Sequence, residues 1–589
     1  MFHLFKYLKV KDWLILLVCV GLIVAQVGLE LKMPDYTKEL TTIVQSGTDV
    51  MDGVWKNGGL MLACAGGSLL MAIICSILIS NVASSFSRNL REQLFNKIAD
   101  FSNEEMNLFS TPSLITRTTN DVMQMQNFMA MGVQLLFKAP IMAVWAILKI
   151  SSTNVSWTAA VAICVGVIVV CVSILVKLCL PRFRKIQKLT DELNDVTREN
   201  ITGVRVVRAF NAEAYQEAKF DKVNNEITNN HLFTSRVMGL LNPVMNICMN
   251  ALILAIYWIG AVLINNIVMS DYTNPMEFIG DRVSVVGNMA AFSQYAMQVV
   301  MSFMMLILIF IILPRTMVSG NRIYEVLKTV PSIVSGTFNG KTDKCGTVEF
   351  KNVSFAYGDE AENAVEDLNF TVDKGETLAI IGSTGCGKTT IVNLISRFYD
   401  VTKGEILVDG INVKEYKEED LRNKISVAAQ KAALFKGSIK DNVAYGCENP
   451  DENKIKKALE IAKADFVNEL DNGIESEVAQ GGTNFSGGQK QRISIARALY
   501  KDAKIVIFDD TFSALDYKTD MLVRKGIKEN LTDTTVIIVA QRIGTIMHAD
   551  KIMVLDEGRI VGMGTHKELL ESCDTYKEIA LSQLSEEEI

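Results

Sequence analysis

Long apolar runs and polar stretches alternate along the first half of the chain. Six apolar segments, roughly Trp13 to Leu31, Leu60 to Ala83, Phe128 to Ile150, Trp157 to Leu180, Val244 to Ile267 and Val286 to Leu313, are each near the length that crosses a bilayer as a helix. From Thr347 onward the pattern changes, and short β-branched runs alternate with helical ones, as in an α/β domain. The sequence predicts a polytopic α-helical membrane domain over 1–330, a Gly-, Ser- and Thr-rich linker at 331–346, and an α/β domain over 347–589.

Charge orients the helices. Segments 84–127 and 181–243 hold four and ten Lys and Arg, whereas 32–59, 151–156 and 268–285 hold three, none and one. By the positive-inside rule the first two are cytoplasmic, so the N-terminus is too, and six crossings return the C-terminal domain to the cytoplasm. The first twelve residues mix aromatic and aliphatic positions with Lys6, Lys9 and Lys11. They suit either an amphipathic helix on an anionic leaflet or a frayed basic leader. No small-residue cleavage site accompanies the first apolar run, so no removable signal is expected, and the few residues before that run leave no room for an accessory domain.

Composition agrees with a membrane protein carrying a soluble domain: 49% of residues are apolar and 21% charged. A net charge of −7 gives no reason to expect nucleic-acid binding. Eleven cysteines, many inside apolar runs and without paired spacing, read as reduced, small apolar residues. The acidic tail Glu586 to Glu588 reads as a solvated charge run.

The chemistry lies in the C-terminal part. Ile505 to Asp516 reads as a buried parallel strand delivering two carboxylates to its C-terminal end, where open α/β sheets bind ligands. Gly382-Ser383-Thr384-Gly385-Cys386-Gly387-Lys388-Thr389 fills the pattern G-x-x-x-x-G-K-[ST], between the apolar run Thr377 to Ile381 and the helical stretch from Thr390 to Phe398. Between the two stands Phe485-Ser486-Gly487-Gly488-Gln489. These three motifs in this order resemble the nucleotide-binding domain of an ABC transporter, and with the six apolar segments the resemblance covers nearly the whole chain.

The resemblance implies ATP and Mg2+ as ligands. The backbone of 382–387 would cradle phosphates, with Lys388 on the β- and γ-phosphates and the Thr389 hydroxyl on magnesium, beside Thr390. Tyr357 matches the aromatic that stacks on adenine, Asp509 the magnesium acid, Gln430 the glutamine that touches magnesium and water, and Asp516 the loop that crosses to the opposite subunit. Ser486, Gly487, Gly488 and Gln489 would act on an ATP held by a partner chain. In exporters of this type short coupling helices end the cytoplasmic extensions, and the matching stretches here are 113–121 and 199–210.

Ala429, where the family more often has proline before the glutamine, is a mild departure from the pattern, and two positions depart further. The second acid, expected as a glutamate that orients the attacking water, is Asp510, and the switch histidine is replaced by Gln541. Loss of an oriented general base commonly costs on the order of 10²–10⁴-fold in rate. With the signature motif intact, this asymmetry implies a heterodimer with a second half-transporter that has the glutamate and histidine; a homodimer with two slow sites is the alternative. Cys386, at a helix start inside the phosphate loop, is expected either to be alkylated with loss of nucleotide binding or to be a small filler.

In the membrane half, Lys138 would either face a cavity or snorkel to the interface. Glu30, Lys32 and Asp35 around Pro34 would line a gate or lie at the interface. Gln294, Tyr295, Gln298 and the methionines from Met297 to Met305 suit an adaptable apolar surface. The resemblance implies a half-subunit of a bacterial multidrug-type exporter in the plasma membrane, moving hydrophobic or amphipathic small molecules. Lipid, peptide or siderophore transport on the same fold, or an ATP-gated channel or sensor, are the rival readings.

Overall fold

The computed structural model describes residues 2–46, 50–151, 155–268, 275–342, 345–358 and 361–584; the acidic tail at 586–588 lies outside them. Two compact units form. One draws on the chain up to Ala99 and on Pro112–Thr329, the other on Asp100–Thr111 and the chain from Val330 onward.

In the first unit, among the described residues, six helices are long and apolar enough to span a membrane: Val10–Gln45, Val50–Ala99, Thr111–Ser151, Val155–Thr202, Glu213–Asn266 and Pro275–Lys328. Most run well past the apolar windows that announce them, because a helix keeps its backbone hydrogen bonds satisfied in water as well as in lipid. Residues 199–210 end one helix, turn at Gly203 and form the short helix Val204–Ala209.

One expectation needs correction here. Residues 113–121 are not a separate short helix; they continue into the third long helix through a π turn at Arg117–Asp121. The separate short helix is Asn103–Phe109, opened by a capping box in which Ser102 and Glu105 exchange hydrogen bonds and closed by Ser110 in the left-handed region (φ 56°). Part of the linker is hydrogen-bonded in place. Gly336 and Phe338 donate backbone N–H bonds to Tyr416 and Glu415, and Arg397 donates to the Val334 carbonyl, so 334–338 is laid along the second unit as an added strip. A Cβ at Gly336 would come within 2.1 Å of the Glu415 carbonyl oxygen, so only glycine fits that approach. At the N-terminus, Phe2–Tyr7 forms a short 3₁₀ helix, and Leu4 and Leu8 are buried against the bundle.

The second unit is built on a six-stranded sheet in the order Arg559–Gly564, Lys551–Asp556, Thr377–Gly382, Thr535–Val539, Ile505–Asp509, Ile425–Ala428, parallel except for its first pair. Alternate residues of each strand feed different cores. Val506, Phe508, Val536 and Ile538 join one apolar cluster, and Ile505, Ile507, Ile537 and Val539 the other. A strand covered on both faces can be apolar throughout, and both Ile505–Asp509 and Thr535–Val539 are buried at every residue. A four-stranded antiparallel sheet, Val365–Val372, Val348–Phe355, Lys403–Val408 and Ile411–Asn412, completes the unit.

Candidate nucleotide site

Parallel pairing brings four strand ends to one edge. In register, Val539 lies beside Asp509 and Val539 also pairs with Ile380, so the segments that follow these strands must converge. They carry Gly382–Thr389, Asp509 and Asp510, Gln541, and, beyond Ala428, Gln430. A loop edge at the carboxyl ends of parallel strands is where such sheets place ligands.

The phosphate loop leaves strand Thr377–Gly382 and enters helix Lys388–Ile395 through Gly387 at φ 99°. A Cβ there would meet the Val365 side chain at 2.7 Å and the Ala364 carbonyl at 2.8 Å. Lys388 is held inside the loop: its Nζ donates to the Gly382 carbonyl (2.8 Å) and the Ser383 carbonyl (2.7 Å). Thr389 Oγ1 donates to Asp509 Oδ1 at 3.4 Å. Tyr357 is half exposed, with its hydroxyl 3.0 Å from Thr390 Oγ1 and its ring edge-on to Phe355 and Tyr399, leaving a face for a planar ligand.

For Cys386 the surroundings bear on the two readings. It is 4% exposed and belongs to the apolar core beneath the loop, so the filler reading fits its surroundings. Cys447 is the exposed cysteine. Under native conditions a maleimide is expected to modify Cys447 first, and Cys386 only after denaturation; peptide mass mapping with Cys386 labelled first would contradict the burial.

Asp509 and Asp510 are both buried, yet their settings differ. Burial holds the Asp509 carboxyl above the usual carboxylate range and the neighbouring Asp510 adds to this, opposed by the Thr389 hydrogen bond and by Lys388. A carboxylate in this position gains from a nearby cation. Hydroxyl, carboxylate and amide oxygens from Thr389, Asp509 and Gln430 are the hard donors that Mg2+ takes. Three such donors leave the rest of an octahedral shell to water and nucleotide phosphates.

Asp510 sits at φ 48°, and its Oδ2 accepts from both Gln430 Nε2 (3.3 Å) and Gln541 Nε2 (3.0 Å). The two residues that depart furthest from the family pattern therefore touch each other, and the third partner is the glutamine expected beside them. His548 is exposed and His566 pairs with the Tyr576 hydroxyl at 2.7 Å, so neither takes the place of the missing histidine.

Ser486 and Gln489 form a capping box at the start of helix Gly487–Tyr500, with Ser486 N–H donating to Gln489 Oε1 at 2.9 Å. An added Cβ on Gly487 would meet nothing within 4 Å, so that surface is open. Asp516 caps its own helix, accepting from Thr519 N–H at 3.0 Å, and hydrogen bonding from Thr519 holds its carboxyl below the usual range.

Two residues of the site escape sequence reading. Gln491 donates to the Gln430 carbonyl at 2.6 Å, tying the signature helix to the Gln430 loop. Gln583, near the end of the described chain, donates to the Gln541 carbonyl (2.9 Å) and accepts from Ile543 N–H (2.9 Å), clamping that loop with one amide. All three contacts span 40 residues or more, and a lone glutamine carries no local signal of them.

A parallel sheet gathering a phosphate loop and a pair of acids at one edge, in a chain with six membrane-capable helices, defines a membrane-borne P-loop ATPase. Residues 365–513 match the family described as ABC transporter, and residues 16–273 match the ABC transporter transmembrane region. An uncharacterized ABC transporter ATP-binding protein of Mycobacterium tuberculosis is 39% identical over 549 residues, 91% of each chain. The ATP-dependent lipid A-core flippase of Haemophilus influenzae is 32% identical over 422 residues, covering 70% of this chain and 69% of that protein. A bacterial Atm1-family ABC exporter solved with ATP bound has the same fold, with TM-score 0.77 and 22% identity over 99% of each chain. The chain belongs to the ABC transporter family. It is an ATP-driven half-transporter, a six-helix membrane domain fused to a nucleotide-binding ATPase domain.

Proposed function

We propose that this chain is one half of a heterodimeric exporter, holding ATP at a slow site of its own and lending Ser486 to Gln489 to a faster site on its partner. The observation that carries this reading is the double amide clamp on Asp510 Oδ2. An acid that orients attacking water needs a free oxygen within reach of it. Asp510 is one methylene shorter than glutamate, and one of its oxygens already accepts two N–H bonds. Gln541 offers an amide that neither carries charge nor gains a proton near neutral pH.

On binding ATP, Lys388 would exchange its two loop carbonyls for phosphate oxygens, and the amides of the glycine-rich loop would face the same charge. Tyr357 would stack on the base. Thr389, Asp509 and Gln430 would hold Mg2+, which supplies neutralisation of phosphate charge when bound. The open face at Gly487 and the preset capping box suit Ser486, Gly488 and Gln489 to meet a nucleotide held by another chain, with the loop at Asp516 beside it.

The Lys and Arg distribution supports cytoplasmic termini, and the bacterial relatives support a multi-pass place in a bacterial plasma membrane. Exposed Met297 and Met301 support amphipathic cargo. A second reading, lipid translocation, is favoured by the similarity to a flippase.

The test is ATPase activity of the purified chain with its partner, comparing Asp510→Ala here with removal of the corresponding acid in the partner. The expected result is a change of about 2-fold or less for the first and a loss on the order of 10²-fold for the second. Equal losses would replace this reading with a symmetric transporter.

A further inference from the structure

Within the second unit, Asp510 is gripped in two layers. In the first, Gln430 Nε2 and Gln541 Nε2 donate to Asp510 Oδ2 at 3.3 Å and 3.0 Å. In the second, each of these glutamines is itself held at its backbone carbonyl by a further glutamine amide. Gln491 Nε2 donates to the Gln430 carbonyl at 2.6 Å, and Gln583 Nε2 to the Gln541 carbonyl at 2.9 Å. Gln491 comes from the helix Gly487–Tyr500 and Gln583 from the turn after the helix Asp574–Leu581. The backbone of the acid is fixed as well: Asp510 N–H donates to the Val539 carbonyl at 3.0 Å, and the Asp510 carbonyl accepts from Ser513 Oγ at 2.8 Å.

The first layer needs the second. Gln430 and Gln541 are exposed, so packing does not confine their side chains, and holding a glutamine side chain in one place costs rotamer entropy. Where the two amides point is then decided by where their backbones are held. Stability does not account for the residues that hold them. Gln491 is 5% exposed, and its Oε1 is buried without a partner among the described residues. Reversing its amide would set oxygen against the Gln430 carbonyl. A leucine there would fill similar space and remove the unpaired acceptor. Gln583 is exposed, and the helix before it is anchored by Tyr576 and Ala580, both 0% exposed, so that helix does not depend on the Gln583 amide.

We infer that Gln491 and Gln583 are positioning residues for the slow site: they aim the two amides that occupy Asp510 Oδ2, and through Asp510 they restrain hydrolysis. The inference rests on the reading that this occupancy keeps the site slow. Because Gln491 lies on the helix that opens with Ser486, the restraint and the surface lent to the partner share one helix.

The test is single-turnover cleavage of radiolabelled ATP, which reads slow sites, by the full chain in complex with a partner whose own acid has been removed. Gln491→Leu and Gln583→Leu are each expected to raise the rate constant by about 5-fold, the share of one modest hydrogen bond, with the ATP concentration for half-saturation unchanged. In an Asp510→Ala background the same substitutions are expected to change the rate by less than about 2-fold, because the carboxylate they act through is gone. A residue with a merely structural role would lower the rate, and by the same factor in both backgrounds. Gln583→Glu keeps the bond from Ile543 N–H and loses only the donation to the Gln541 carbonyl, so it is expected to match Gln583→Leu. Should Gln491→Leu fold poorly, the exposed Gln583 carries the test alone. Equal effects in both backgrounds would overturn the inference and leave the slow-site proposal standing. A fall in rate that the Asp510→Ala background cancels would support the positioning role and overturn the slow-site reading instead.

Discussion

Replacing Asp510 by glutamate and Gln541 by histidine together is expected to raise hydrolysis at this chain's own site by about 10²-fold, the low end of what an oriented base supplies. Glutamate restores the missing reach, and histidine replaces an amide that now ties up Asp510 Oδ2. Either change alone is expected to do much less. With glutamate alone, Gln541 remains able to donate to the new carboxylate; with histidine alone, the acid remains short. The backbone at 510, φ 48°, is one that aspartate tolerates better than glutamate, which trims the gain. The rate is read by phosphate release in a complex whose partner acid has been removed, so that only this site reports. No rise in the double variant would show that something other than these two residues limits the site.

Lys388→Met is expected to weaken nucleotide binding by about 10²-fold, the value of one or two charge-assisted hydrogen bonds. Lys388 is 9% exposed, and its ammonium is held at the mouth of the loop by the Gly382 and Ser383 carbonyls. Methionine keeps the stem's volume and removes the charge, so the loop loses its cation without a large void. Equilibrium titration with a fluorescent ATP analogue measures the change, and an unaltered melting temperature excludes unfolding. A loss below about 5-fold would mean that the loop amides carry phosphate recognition without Lys388.

Local signals explain which parts of this chain were legible in its sequence. The six apolar windows, the glycine-rich loop and the strand ending at Asp509 are each written within about twenty consecutive residues, and hydrophobic length and motif spacing read them directly. The capping box at Ser102 and Glu105 is equally local, whereas the resemblance to the family places the short helix downstream, at 113–121. The meeting of Gln430, Asp510 and Gln541 was not legible, because it joins loops after three different strands and depends on their register. The same holds for Gln583 and for Lys138, whose partner Glu30 is more than a hundred residues away. For Lys138 the sequence left a cavity-facing and a snorkelling reading open, and packing gave neither of them but an ion pair with Glu30.

The segment Asp100–Thr111 is encoded between two membrane-capable helices yet folds with the second unit. Glu105 accepts from Ser332 N–H at 2.9 Å and Asn107 donates to the Tyr399 hydroxyl at 3.2 Å. The unit of folding is therefore not a contiguous stretch of gene. A recombination event, or a laboratory chimera, joined at residue 330 would import a nucleotide domain without its own Asn103–Phe109 helix and would have to accept the recipient's. Exchange of motors among transporters of this build is thus filtered by the match between a dozen residues near 105 and the surface carrying Ser332 and Tyr399, and the two stretches are bound to diverge together.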